Sequence, residues 1–418
     1  MQPAASIDMP TNERIAIVDI LRAIALFGII INHSALSFLA GPEPTPGFNE
    51  FSSLDKTVND VAELLTFGKF FAIFSFLFGM SFAIQLDGAA RKGTSFVGRF
   101  AWRITILFAI GFVHSMFFSG DVLMIYALLG FLLIPCRKLK SRTLVVLGLI
   151  LALNAPMLLL GAARVSAPPP TAEQQQTAAN FQAQFEAATH EQFRIKQSGT
   201  LGELVQMNIT GSMFNKMLFM VFTGRLWITF GYFLLGLWAG RVGLFKETES
   251  NRRLFSQLLL WSGVLALITS IVHIVSPTSF VNPEPTFAAL FSYLSFTLQQ
   301  STLAAFFVAA FTLLYWNRPR YSLWPHLAAT GKMGLTTYLL QTVFGAIVFF
   351  GIGFGMLGKI GVTASIALGV AFFALEILFA TWWLRRFNMG PVEWLWRSLT
   401  YFKLQPIGSR EKRLVVSG

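Results

Sequence analysis

The sequence predicts an all-α, polytopic integral membrane protein with about ten transmembrane helices and both termini in the cytoplasm. Three observations predict it. Of 418 residues, 54% are hydrophobic and only 12% are charged, where soluble domains average about 25% charged. Apolar stretches long enough to cross a bilayer, which takes ~20 helical residues, recur along the chain. The basic residues fall in alternate loops. Those after the second, fourth, sixth and eighth stretches, and the C-terminal tail, each hold three or more Lys or Arg residues; the others hold none or one, apart from the long fifth loop with three. Base-rich short loops stay in the cytoplasm. The same distribution separates the net charge of +12 from a nucleic-acid-binding patch, so no nucleic-acid partner is expected.

The elements follow in order. Met1 to Asn12 is a polar tail, and helix one covers Arg14 to Ala40. Its apolar run exceeds the 7–15 residues of a signal peptide, so it reads as a retained span. A Pro-rich, acidic loop from Gly41 to Glu63 leads to helix two, Leu64 to Leu86. Helix three runs from Phe100 to Phe118, and the Ser119-Gly120 turn opens the short helix four, Asp121 to Pro135. Helix five, Thr143 to Ala163, closes an N-terminal half, 1–163. Residues 164–215 form the one sizeable polar excursion, an extracytoplasmic loop in which Phe181, Phe185 and Phe193 recur at helix-compatible spacing, as in an amphipathic surface helix. The C-terminal half, 216–390, holds helices at Lys216–Gly240, Leu254–Val275, Thr286–Tyr315, Gly334–Gly355 and Val362–Leu384, with a Pro-rich turn from Pro277 to Pro285. A basic tail, 391–418, follows. The single Cys136 excludes an intrachain disulfide and any cysteine-based metal site. No phosphate loop, dinucleotide fingerprint or metal-ligand spacing is present, so no metal is expected.

Charged groups inside the spans carry the functional reading, because each costs roughly 2.5–3.5 kcal/mol to insert. Helix one holds Asp19, Arg22 and His33. Arg22 and His33 are eleven residues apart, almost three turns, and so share a face about 16 Å apart along the axis. Asp19 is placed to pair with Arg22. Helix three repeats the spacing with Arg103 and His114. If these two helices are parallel and adjacent, His33 and His114 line one outward-opening cavity, with the arginines about three turns deeper. Asp121 opens helix four seven residues after His114. It is either a helix cap or a carboxylate that orients a histidine. Lys69 and Arg225 lie near outer helix ends, where snorkelling competes with substrate binding. Gln299, Gln300, Gln341 and Glu376 sit near mid-membrane.

Five stretches, DILRAIALFGIIIN at Asp19, GKFFAIFSFLFG at Gly68, GFVHSMFFSGDVLMIYALLG at Gly111, GKMGLTTYLLQT at Gly331 and GPVEWLWRSLT at Gly390, resemble the YeiB-like (DUF418) family of bacterial inner-membrane proteins of unknown function. That family is distantly similar to transmembrane acyltransferases of the acyltransferase-three type, which carry Arg, ten residues and then His on their first helix. Arg22 and His33 fit that pattern. YeiB-like proteins typically have Asn at the position of His33, so this chain departs from that family towards the acyltransferases. The GDxL turn of that family matches Gly120-Asp121, and its helix-three histidine matches His114.

The resemblance implies an O-acyltransferase of the bacterial inner membrane. It would move an acyl group, such as acetyl, from cytoplasmic acyl-CoA to a hydroxyl of a small-molecule or glycan acceptor outside. Arg22, Arg99 and Arg103 would hold the CoA phosphates, since Arg pairs with phosphate bidentately. His33 would act as base or transient acyl carrier, assisted by His114 and Asp121, with Lys69 and Arg225 against the acceptor. The rival expectation is a transporter of a small amphipathic solute that uses the same polar residues without covalent chemistry.

Overall fold

Long apolar stretches fold as helices because lipid offers no partner to an exposed backbone N–H or C=O. In the computed structural model, which describes residues 15–275 and 286–408, helices account for every extended element. They are α1 (Ala16–Ala35), α2 (Ser53–Thr66), α3 (Lys69–Arg91), α4 (Val97–Ser115), α5 (Leu123–Cys136), α6 (Ser141–Ala152), α7 (Ala155–Val165), α8 (Ala172–Ser198), α9 (Leu201–Met207), α10 (Met213–Phe222), α11 (Arg225–Val242), α12 (Glu249–Val275), α13 (Phe287–Asn317), α14 (Trp324–Lys332), α15 (Gly334–Phe349), α16 (Val362–Leu384) and α17 (Pro391–Tyr401). A π-helical turn, Asn208–Ser212, joins α9 to α10. The N-terminal tail, the Pro277–Pro285 turn and the end of the C-terminal tail lie outside the described residues.

Among the described residues, six helices are long and apolar enough to cross a membrane; α2 and α3 count there as one. Three further pairs meet that test together but are bent: α6 with α7 by 48°, the α9–α10 segment with α11 by 69°, and α14 with α15 by 83°. The chain is a multi-pass membrane protein, and its outer faces agree. Trp261, Leu267 and Ile274 on α12 are 63%, 65% and 66% exposed, a surface suited to acyl chains.

Three expectations need correction. The 41–63 loop contains most of α2, whose start is capped by Ser52; a surface helix of low hydropathy leaves no transmembrane signal. The stretch before helix nine folds as α14, set at 83° to α15. The tail begins with α17, which lies against α4 and α15.

Packing interleaves the two halves. α1 is surrounded by α3, α14 and α16, while α3 lies along α11. The α3–α11 seam is close because glycines face backbone there: a Cβ at Gly79 would meet the Phe233 carbonyl at 2.0 Å, and one at Gly236 the Phe76 carbonyl at 1.9 Å. Small residues bring membrane helices together in this way. Gly331 likewise lets α14 touch the α1 backbone at the Asp19 carbonyl. α1 does not pack extensively on α4, contrary to the expectation that they are neighbours. α14, α15 and α16 take that side of α1.

Candidate functional site

The site forms where the C-terminal ends of α1 and α4 meet the α4–α5 turn, α15 and the last turns of α8. His114, in the last turn of α4, is buried. Its Nδ1 lies 2.8 Å from Asp121 Oδ1, and its Nε2 lies 2.8 Å from Thr342 Oγ1 on α15. Both ring nitrogens are therefore engaged, and the Tyr338 ring packs beside the imidazole at 5.2 Å. Asp121 is buried too. Its Oδ1 also accepts from the Leu123 N–H (3.2 Å) and its Oδ2 from the Met124 N–H (3.1 Å). The two readings of Asp121 are thus compatible, because one carboxylate caps α5 and holds His114. Lys216 donates to the Asp121 carbonyl at 3.1 Å. Asn208, in the π-helical turn, donates to the Met116 carbonyl at 3.0 Å.

His33 occupies the last turn of α1 and is partly exposed. Its ring packs edge-on to Phe118 at 5.1 Å and against Phe38 at 5.4 Å. Among the described residues it has aromatic contacts and no hydrogen-bond partner on the ring. His114 packs on the same Phe118 ring at 6.0 Å, so one phenyl group borders both imidazoles. They come together through the loop after α4, not through α1–α4 packing. The loop after α1 is unusual: Ser37, Phe38 and Ala40 have φ of 47°, 58° and 50°. Positive φ is uncommon for such residues and costs on the order of 1 kcal/mol or more each. Phe38 is held there by stacking on Phe349 at 5.7 Å.

Lys196, on α8, was not singled out by sequence reasoning. It is 1% exposed, with its ammonium donating to the Leu39 carbonyl and to Ser119 Oγ, the latter at 2.9 Å. Phe350 and Phe118 flank it at 5.4 and 6.0 Å. Among the described residues no carboxylate pairs with it, and burial lowers its pKa to about 7. Lys196, His114 and His33 all border the Phe118 ring. Gln192 donates to Ser119 Oγ at 3.2 Å.

The arginines are held apart. Arg22 donates to Asp19 (2.5 Å), the Gly331 carbonyl (3.1 Å) and Ser81 (3.3 Å). The Arg103 guanidinium stacks on Trp396 at 3.9 Å, and exposed Arg99 lies over Tyr401 at 5.4 Å. Lys69 is 1% exposed and donates to the Glu63 carbonyl at 3.3 Å, so it does not snorkel. Arg225 reaches Gln300 at 3.4 Å between Phe67 and Phe71; it and Lys69 form a polar cluster of their own. Glu376 is buried with Gln341, whose amide donates to it at 3.0 Å. A cavity of about 300 Å³ lies between Asp19 on α1 and Lys332 on α14. A larger one of about 590 Å³ is wholly apolar, between Val348 and Leu368. Neither is lined by His33 or His114. Among the described residues no group of three or more His, Cys, Asp or Glu could hold a metal ion.

Residues 239–403 match the model of a family described as protein of unknown function (DUF418). That stretch is similar to the DUF418 family. Its resemblance to curated relatives runs almost from end to end. Uncharacterized protein YxaH of Bacillus subtilis (strain 168) is 27% identical over 96% of this chain and 98% of its own length. Uncharacterized protein YeiB of Escherichia coli (strain K12) is 27% identical over 96% of this chain and all of its own. An uncharacterized 39.9 kDa protein in the amylase 3' region of Bacillus acidopullulyticus is 28% identical, over 95% and 96%. The DUF418 match takes in Tyr338, Thr342, Glu376 and Trp396, whereas His33, His114, Asp121 and Lys196 precede it.

Proposed function

We propose that this protein is a membrane O-acyltransferase of the bacterial inner membrane. Acyl-CoA approaches from the cytoplasm, and a hydroxyl acceptor arrives from the outer side. The observation that carries the reading is the contrast between the two histidines around Phe118. His114 has both nitrogens occupied by Asp121 and Thr342, as a positioned group does. His33 is partly exposed, with no hydrogen-bond partner on its ring among the described residues, as a base awaiting substrate does.

In this reading His33 takes the acceptor hydroxyl proton on a ring nitrogen as the acceptor oxygen attacks the thioester carbonyl carbon. The C–S bond breaks, the ester forms, and the CoA sulfur receives the proton back from the imidazolium. Exposed Arg99 is the arginine most open to a CoA phosphate, while Arg103 and Arg22 are engaged by Trp396 and Asp19. Ten spans with cytoplasmic termini fit if each bent pair crosses once and the short α5 also crosses.

A second reading, solute transport, is favoured by the α14–α15 break beside the Arg22–Asp19 pair and by the buried Glu376. Transporters build sites at broken helices and at intramembrane acids. The deciding experiment compares wild type with His33→Ala for acyl transfer from acetyl-CoA. Loss of transfer in the variant supports the enzyme; a solute flux unchanged by the variant supports the transporter.

A further inference from the structure

Lys196 is a buried cation that the acyl-transfer steps above do not use. It comes from α8, the helix of the polar excursion, which is fastened over the site. The Gly351 N–H donates to the Lys196 carbonyl at 2.8 Å, and Gln197 donates to the Leu357 carbonyl at 3.1 Å. The ammonium has three N–H donors. Two go to the Leu39 carbonyl and Ser119 Oγ, neither of which carries charge. An ammonium in an aromatic enclosure is costly without a counter-charge, and Asp121, the nearby acid, is spent on His114 and the start of α5. Among the described residues, the bases His33, His114 and Lys196 border Phe118, and Asp121 is engaged by His114. His33 sits on the other ring contact of Phe118, partly open to the surface.

We propose that Lys196 and His33 together receive an oxyanion, a phosphate or carboxylate borne by the acceptor, with Ser119 and Gln192 as neutral partners. The acceptor is then an anionic hydroxyl compound, either a lipid headgroup or a water-soluble molecule. Among the described residues Lys196 has no carboxylate partner, and its two hydrogen-bond acceptors are neutral. This deepens the acyl-transfer reading by naming the charge of its acceptor, but it concerns binding and is read without turnover. Burial has brought the lysine to a pKa of about 7, and an arriving anion favours its protonated form.

The test uses the full chain in nanodiscs of zwitterionic lipid, with inorganic phosphate titrated at constant ionic strength and thermal stability as the readout. A second arm replaces part of the lipid with phosphatidylglycerol, which separates a headgroup source from a soluble one. Saturable stabilisation of wild type is expected in one arm, with Lys196→Met binding roughly 10- to 100-fold more weakly, the effect of a lost charge-assisted hydrogen bond. Wild type should also show slower modification of Lys196 by an amine-reactive reagent when phosphate or the anionic lipid is present, a reading that needs no variant. Equal responses of wild type and Lys196→Met, no saturable response in either arm, or no protection of Lys196 overturns the proposal. Turnover with labelled acetyl-CoA fails or succeeds separately. Binding without turnover sinks only the acyl-transfer reading, and turnover without binding sinks only this one.

Discussion

Asp121 can be dissected by two substitutions, because its carboxylate both caps α5 and carries the charge behind His114. Asp121→Ala removes the acceptors of the Leu123 and Met124 N–H groups and of His114 Nδ1. Loss of a helix cap costs about 1 kcal/mol. A buried imidazole N–H left unpaired costs about 1–3 kcal/mol more. The expected destabilisation is therefore roughly 2–4 kcal/mol, large against the 5–15 kcal/mol of typical folds. Asp121→Asn keeps an acceptor at the Oδ1 position for His114 and the Leu123 N–H but replaces the Oδ2 acceptor of the Met124 N–H with an NH2 group, so part of the cap remains. It loses the negative charge behind His114, worth about 1 kcal/mol as charge assistance. Thermal unfolding of the purified protein, followed by tryptophan fluorescence, should rank wild type above Asp121→Asn and Asp121→Ala well below both. Turnover should already be impaired in Asp121→Asn if the charge orients a working histidine. Asp121→Ala melting with wild type would refute the capping argument. Full turnover in Asp121→Asn would refute the orienting one.

Other predictions follow from the same geometry. His33→Ala should lower turnover by about 10²–10⁴-fold, the range of general base catalysis, with little change in melting, because the ring has aromatic contacts only; a large loss of stability would contradict this. Arg22→Ala removes the bonds to Asp19, the Gly331 carbonyl and Ser81 and should destabilise by on the order of 1–3 kcal/mol; unchanged melting would show that Arg22 does not pin α1 to α14. Lys196 is protonated in the unfolded chain up to its ordinary pKa near 10.5 but in the folded protein only below about 7. The unfolded state thus binds more protons between those values, and stability should rise with pH across that window; comparison at pH 7 and 9 should show the rise in wild type and its loss in Lys196→Met. A reporter active only outside the cytoplasm should be on at Gln175 and off at Lys140; the reverse would overturn the orientation.

Much of the fold was legible because hydropathy reports what lipid demands. The long apolar helices α1, α3, α4, α12, α13 and α16 all stand within a few residues of their expected ranges. The same signal is blind to direction, so it read straight through the α14–α15 corner, which Gly331 and the Arg22 side chain create by tertiary contact. It also passed over α2, whose apolar residues are interspersed with charged ones, so that its mean hydropathy is low. At the site, the eleven-residue spacings drew attention to His33 and His114, and the structure brings both to Phe118. The spacing did not reveal that Arg103 is covered by Trp396 or that Arg22 is triply bonded, because those partners come from distant segments. Thr342 and Tyr338 lie in the GKMGLTTYLLQT stretch and could have been singled out as polar groups on a transmembrane helix. Lys196 could not, since a lysine in a polar loop reads as solvated until α8 docks.

The most direct measurement of the central claim incubates purified wild type and His33→Ala with labelled acetyl-CoA and a panel of hydroxyl acceptors. Release of CoA thiol and transfer of label are followed together. The account predicts acceptor-dependent release by wild type and its loss in His33→Ala, which still folds. Release that is equal in the two proteins, or none by wild type with any acceptor, would contradict it.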